Sequence, residues 1–229
     1  MKKFACVLAS MLLALSAVGA MADTVPSKTT TDVTQVKTVE AVKEDGTVEA
    51  VTGWDIEVAE DAAPVTEEIA KIYQEVFVNG KTAVAYFPAE TQEAIAALLP
   101  EGVNASKLMM NEFITLEIVG KMETATDVKV TFTFTTKYEM DQNVVVVIGL
   151  YDGTRDANGQ YNVEWVALDA EVLENGDIAV VFPAELVEQM NDAAAVAMAV
   201  LNDEANWAGR IEVRDAPRFL AYKGCTKRG

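Results

Sequence analysis

The chain contains no histidine and only two cysteines, Cys6 and Cys225. Without histidine, a Ser-His-Asp triad, a Cys-His pair and a histidine-ligated metal site are all excluded. Basic residues are scarce too: 18 Lys and Arg face 36 Asp and Glu, for a net charge of −18. A surface of that sign repels phosphate backbones, which argues against a nucleic-acid ligand. Long apolar runs are also missing. The stretch Phe4 to Gly19 is the only extended one, and it falls short of the ~20 residues that span a bilayer.

That stretch has another reading. Lys2 and Lys3 precede it, and Ala20-Met21-Ala22 closes it with small residues around one position. This is the layout of a cleavable secretory signal peptide over 1–22, of bacterial type, and it predicts a secreted, extracellular or cell-envelope protein with no integral membrane segment after cleavage. Removing 1–22 removes Lys2, Lys3 and no acid, so the net charge becomes −20. Cys225 would then be the sole cysteine, and no intrachain disulfide could form. Such a chain must be held by its core, and 51% hydrophobic residues allow one.

Composition and periodicity divide the chain into five segments. After 1–22, residues 23–43 are rich in threonine, with valines spaced by three at Val33, Val36, Val39 and Val42. That spacing fits neither a strand nor a helix, so a linker is expected, with an edge strand as the alternative. Residues 44–122 read as a small α+β unit. Trp54, Ile56 and Val58 alternate with acids as in a half-buried strand. A helix comes next, opened by Pro64 and Thr66 with Glu67 and Glu68 in its first turn, its apolar stripe being Ile69, Ile72, Tyr73, Val76 and Phe77. Lys81 to Phe87 reads as a strand, Pro88 to Pro100 as a second helix, and Met109 to Val119 as a short helix mixed with a strand.

Residues 123–204 read as a β-sandwich. Val128 to Phe134 alternates with threonines and a lysine, Val144 to Leu150 is continuously apolar, and Tyr161 to Leu173 is a third strand. Asn175-Gly176 is a hairpin signal before Ile178 to Phe182, and a short helix precedes the strand Ala195 to Leu201. Five strands at this spacing predict an immunoglobulin-like sandwich. The fold class expected is therefore α+β: a small α+β unit, then the sandwich. Residues 205–229 form a basic tail of net charge +4, with Arg210, Arg214, Arg218, Lys223, Lys227 and Arg228 against Glu212 and Asp215.

The segments Asn79 to Glu90 and Asn175 to Glu185 share the pattern Asn-Gly, an apolar run, Phe-Pro-Ala-Glu. Each residue of it has a structural reason, so reuse of a stable junction explains the likeness better than a duplicated site.

Paired carboxylates are the remaining catalytic option, as in glycosidases. The acids Glu67, Glu68 and Glu75 fall on the polar side of a helix, and no segment joins nucleophile, base and oxyanion donors. Catalysis is accordingly not expected and no cofactor is implied. The polar loop around Asp152, Asp156 and Asn158, flanked by Tyr151, Tyr161 and Trp165, is the expected ligand-binding surface. With Gly159 placed sixth in a calcium loop, the first and twelfth positions are Thr154 and Trp165, which lack the required carboxylates. Weak calcium binding by so acidic a surface stays open.

The segment Asp127 to Leu201, with VTFTFTTKY, NVVVVIGLYDG, EWVALDAEVLENGDIAVVFPAEL and AVAMAVL, resembles a domain of uncharacterised secreted proteins from anaerobic gut bacteria. The strand-FPAE-helix unit before it resembles the region found beside that domain. The resemblance implies a C-terminal immunoglobulin-like sandwich and brings no activity or site residues. The expectation is an exported, non-catalytic binding or accessory module whose partner is an extracellular glycan, peptide or protein. The alternative is a small carboxylate-based glycan hydrolase.

Overall fold

The computed structural model describes residues 34–203 apart from 44, 61, 123–125 and 135–136. The predicted signal peptide and basic tail lie outside the described residues. Among the described residues, nine strands run in chain order: β1 Gln35–Val42, β2 Val48–Ala50, β3 Trp54–Ala59, β4 Leu108–Gly120, β5 Val128–Thr133, β6 Val144–Arg155, β7 Tyr161–Val172, β8 Ile178–Phe182 and β9 Ala195–Asp203. All join one antiparallel sheet in the order β2-β1-β5-β8-β7-β6-β9-β4-β3. Three α-helices accompany it: α1 Ala63–Ile72, α2 Ala89–Leu98 and α3 Ala184–Asp192.

The expected α+β unit with an immunoglobulin-like sandwich after it is thus corrected to a mainly β fold. Strand β4 pairs with β3 on one side and with β9 on the other, and β1 pairs with β5. Long-range pairing decides this, and no local period reports which strands meet. The stretch expected to mix helix and strand is one 13-residue strand, β4.

The sheet curls until its margins approach. Strand β7 pairs with β6 through Asp169 and with β8 from Ala170 onward, so it carries the bend. Val36 and Val39 of β1 pack against the same interior as Trp54 and Ile56 of β3. That interior is filled by one face of the sheet, including Phe132, Val146, Ile148, Val180, Phe182 and Met198. Leu186, Val187 and Met190 of α3 pack into it, and Trp54 Nε1 donates to Asn191 Oδ1 at 2.7 Å, tying β3 to α3.

A second apolar layer lies on the other face of β4, β9, β6 and β7. There Val145, Val147, Phe113 and the alanines of β9 meet Val65 and Ile72 of α1, Ile95 of α2, and Phe87. The small side chains Ala195, Ala197 and Ala199 let α1 lie close to β9. Covered on both faces, β6 and β9 read as continuous apolar runs.

Several local expectations change. Strand β1 is hydrogen-bonded on both sides, so part of the expected linker is an inner strand. Its register shifts between Val36 and Thr38, and the extra residue Lys37 lets valines three apart face one core. Lys81 to Phe87 forms no strand but one 3-10 turn, Val84–Tyr86. Helix α1 starts at Ala63, so Glu67 and Glu68 sit beyond its first turn, and it continues as π-helix over Tyr73–Val78. The wider π turns rotate the side chains off the α-helical stripe, which leaves Phe77 43% exposed instead of buried.

Candidate functional site

The six residues expected to bind a ligand lie on the β6–β7 hairpin: Tyr151 and Asp152 on β6, Asp156 and Asn158 in the loop, and Tyr161 and Trp165 on β7. Asp152 accepts from the amide and hydroxyl of Thr154 at 2.7 and 2.8 Å. Asp156 accepts from the amides of Asn158 and Gln160 at 2.8 and 2.9 Å. Those backbone hydrogen bonds hold both carboxyls below the usual aspartate range. Both acids are thus engaged in shaping turns, and Asn158 is the third residue of the Asp156–Gly159 turn. Among the described residues, no three acids or cysteines come together in a way that could hold a metal ion.

The loop's aromatics divide in the same way. Tyr161 lies under the Arg155 guanidinium, 3.6 Å from ring centre to carbon. Arg155 in turn forks onto Glu67 of α1 at 2.7 and 2.9 Å, which clamps the hairpin to the helix. Tyr151 is fully buried in the helix-facing layer, and its hydroxyl has no hydrogen-bond partner among the described residues. Burial, and then the nearby Glu68 carboxylate, push its pKa above the ordinary tyrosine value. Trp165 meets Phe87 edge-on at 5.2 Å and Tyr151 at 6.3 Å. It fits over Gly149, where an added Cβ would stand 2.5 Å from the indole. Tyr151 and Trp165 are packing residues in this arrangement, and the six residues do not converge on one surface.

Glu68 was expected on the polar side of its helix, yet it is only 5% exposed and faces the layer with Val65 and Ile72. It accepts the Tyr86 hydroxyl, and Lys71 stands 3.5 Å away, over the Tyr86 ring. Burial and the Glu68 charge raise the Tyr86 pKa well above its ordinary value. The spacing 65, 68, 72 carried the signal for this burial, but a glutamate at the middle position masked it.

The sequence did not point to the groove between the two margins of the sheet. It has a volume of ≈ 570 Å³ and runs between Thr34–Val39 and Trp54–Glu60, with Val51 at its side. Partly buried Val36, Val39, Val51 and Val58 line its base above the buried Trp54 and Ile56, and its exposed lining is more polar than apolar. Its β3 lip is acidic, with Asp55, Glu57 and Glu60 all exposed. On the β1 side, Lys37 is already paired with Asp177 at 2.9 Å.

One wall of the groove is the edge strand β3, and the other is the part of β1 that β2 does not cover. Among the described residues, strand β3 pairs only with β4, and its Ile56 amide donates to the Asp55 carboxylate at 2.8 Å instead of to a strand. Strand β2 covers β1 only over Glu40–Val42, which leaves the outer edge of Gln35–Thr38 without a strand partner among the described residues. Thr34, 8% exposed, lines the groove, and its hydroxyl has no partner among the described residues. Such edges hold unpaired backbone donors and acceptors.

No family model, curated protein or solved structure matches this chain.

Proposed function

We propose that the chain is an exported binding or accessory module that works without catalysis, and that its binding face is the groove between β1 and β3. The single observation carrying this reading is the groove itself: a cleft of ≈ 570 Å³ between two stretches of strand that have no strand partner on that side among the described residues, with valines at its base and acids on one lip. Clefts where polar groups converge beside apolar side chains are where ligands usually bind. The signal-like segment 1–22 supports export. No helix among the described residues is long and apolar enough to cross a membrane.

The glycan-hydrolase alternative needs two acids facing each other across a sugar-binding cleft. In the groove, Asp55, Glu57 and Glu60 share one lip, and the opposite wall Thr34–Val39 carries no acid. Of the hairpin aromatics that could have stacked on a sugar, Tyr151 is buried in the core and Trp165, partly buried, packs against it.

The test is thermal melting against a panel of glycans, peptidoglycan fragments, calcium and unstructured polypeptides, then hydrogen-exchange mapping. A true ligand raises Tm by mass action and slows exchange in 34–39 and 54–60. A ligand that stabilises the protein but protects 152–162 would move the binding face to the β6–β7 loop. Release of reducing sugars from any glycan would overturn the non-catalytic reading.

A further inference from the structure

The groove's chemistry narrows its occupant. We infer that it takes an extended basic segment of a partner polypeptide, which adds as a strand along β3 and sets its lysines or arginines against Asp55, Glu57 and Glu60. This rests on the groove being the binding face.

Three observations point to a strand. Trp54–Ala59 spans about 20 Å at ~3.3 Å per residue, the length of an ordinary paired strand. Ile56 turns its amide outward to a side chain, so by the alternation of an antiparallel pair Val58 also presents its backbone to the groove. The buried Thr34 hydroxyl, in the same groove, has no partner among the described residues, and a passing backbone would supply one. Addition of a strand to an exposed sheet edge is an established mode of peptide recognition.

Charge selects which strand. The three acids of the lip are exposed, while the one lysine opposite is held by Asp177. An incoming basic strand meets opposite charges at cross-strand positions, each worth a modest stabilisation. A second copy of this chain, paired β3 to β3, would set Asp55 and Glu57 against like charges and be repelled. Alternating apolar residues of the guest would face the floor formed by Val36, Val51 and Val58.

The experiment titrates the full chain with three capped ten-residue peptides, alternating Lys–Val, Glu–Val and Ser–Val, and reads affinity and hydrogen exchange. The Lys–Val peptide is expected to bind, to slow exchange in 34–38 and 54–60, and to weaken as salt rises. The exposed double variant Glu57→Lys/Glu60→Lys, which leaves the Asp55 carboxylate on the Ile56 amide, should lose about tenfold in affinity for it and gain affinity for Glu–Val. A Lys–Val peptide N-methylated at alternate residues keeps its charge but cannot pair, and should bind about tenfold more weakly.

Lys–Val binding unchanged by both alterations overturns the inference. Equal binding of all three peptides at 34–38 and 54–60 also overturns it, while leaving the groove as the binding face. Protection by a glycan alone at these segments has the same meaning. If no ligand protects the groove, both readings fail. Concentration-dependent dimers protecting 54–60 would assign the edge to a second copy.

Discussion

The segments Asn79–Glu90 and Asn175–Glu185 carry nearly the same residues and build different structures. Each begins with a positive-φ glycine, Gly80 or Gly176, and each ends with a buried phenylalanine, a proline before the helix and a glutamate in its first turn. Between these points they diverge. Ile178–Phe182 pairs with both β5 and β7, whereas Lys81 to Phe87 makes a single 3-10 turn beneath α2. The comparison separates what is local from what is not. A proline suits a helix start wherever it stands, because its missing N–H is no loss there. A strand needs neighbours, and only the second segment has them.

The residues after each glycine show what the neighbours add. Lys81 lies at the surface with Glu75 at 2.8 Å. Its counterpart Asp177 is buried and accepts from Lys137 at 2.6 Å, Lys37 and Thr133 at 2.9 Å, and Asn175 at 2.7 Å. This acid joins β1, β5 and the β7–β8 turn. Burial by itself would raise its pKa, but the hydrogen bonds from Lys137, Lys37 and Thr133 outweigh that and hold it well below the usual range.

The sharpest break of the comparison is at the phenylalanines, which should behave alike despite their different surroundings. Phe182→Ala empties space in the interior between the sheet's two halves, and Phe87→Ala empties space between the helices and the sheet. Each should cost about 3–5 kcal/mol in denaturant unfolding, with Phe182 the larger because no solvent-side relaxation is available to it. A cost below about 1 kcal/mol for Phe87 would mean that the helical layer is not part of the cooperative core.

Asp177→Asn should cost about 2 kcal/mol at neutral pH, since the amide keeps some hydrogen bonds but loses its charge-assisted ones. The pH dependence has a definite sign. A carboxyl whose folded pKa is lowered contributes its full stabilisation above the ordinary value of 3.8 and loses it as pH falls below that. The wild-type chain should therefore weaken more steeply than Asp177→Asn on acidification, measured by unfolding midpoints across that range. Equal slopes would remove Asp177 from the clasp.

The glycines give the smallest effects. Both have positive φ, so alanine at either is strained, at about 1 kcal/mol. At Gly80 an added Cβ meets nothing within 4 Å. At Gly176 it would lie 2.9 Å from Lys137 Cβ and 3.0 Å from the Tyr138 carbonyl, so Gly176→Ala should cost about 1 kcal/mol more. Equal melting temperatures for the two variants would show that the turn yields to the new methyl.

Much of the strand content was legible because burial on one face writes a period of two. The alternation at Trp54–Val58 and Val128–Phe134, the apolar run from Val144 and the Asn175-Gly176 turn all lie where the structure has strands or a hairpin. The valines at 36 and 39 were not legible, since one bulged residue changed a period of two into three. Phe77 was misplaced by a π turn, and Glu68 by a charge that its helix face nevertheless buries. The loop residues Tyr151 and Trp165 looked like a platform because side-chain direction depends on which face the helices cover. The groove left no sequence signal, as its two walls are 15 or more residues apart and meet only when the sheet curls.

By itself the sequence determined the excluded chemistries, the acidic surface, the positions of most strands and the helix starts at proline. These come from residue type and short-range geometry, which act within a few residues. Tertiary structure alone decided that one sheet joins both halves, that Asp177 is buried and Lys81 is not, and that two strand edges face each other across a groove. Those outcomes depend on which distant segments meet, because a strand's hydrogen bonds and a side chain's burial are supplied by its neighbours in space.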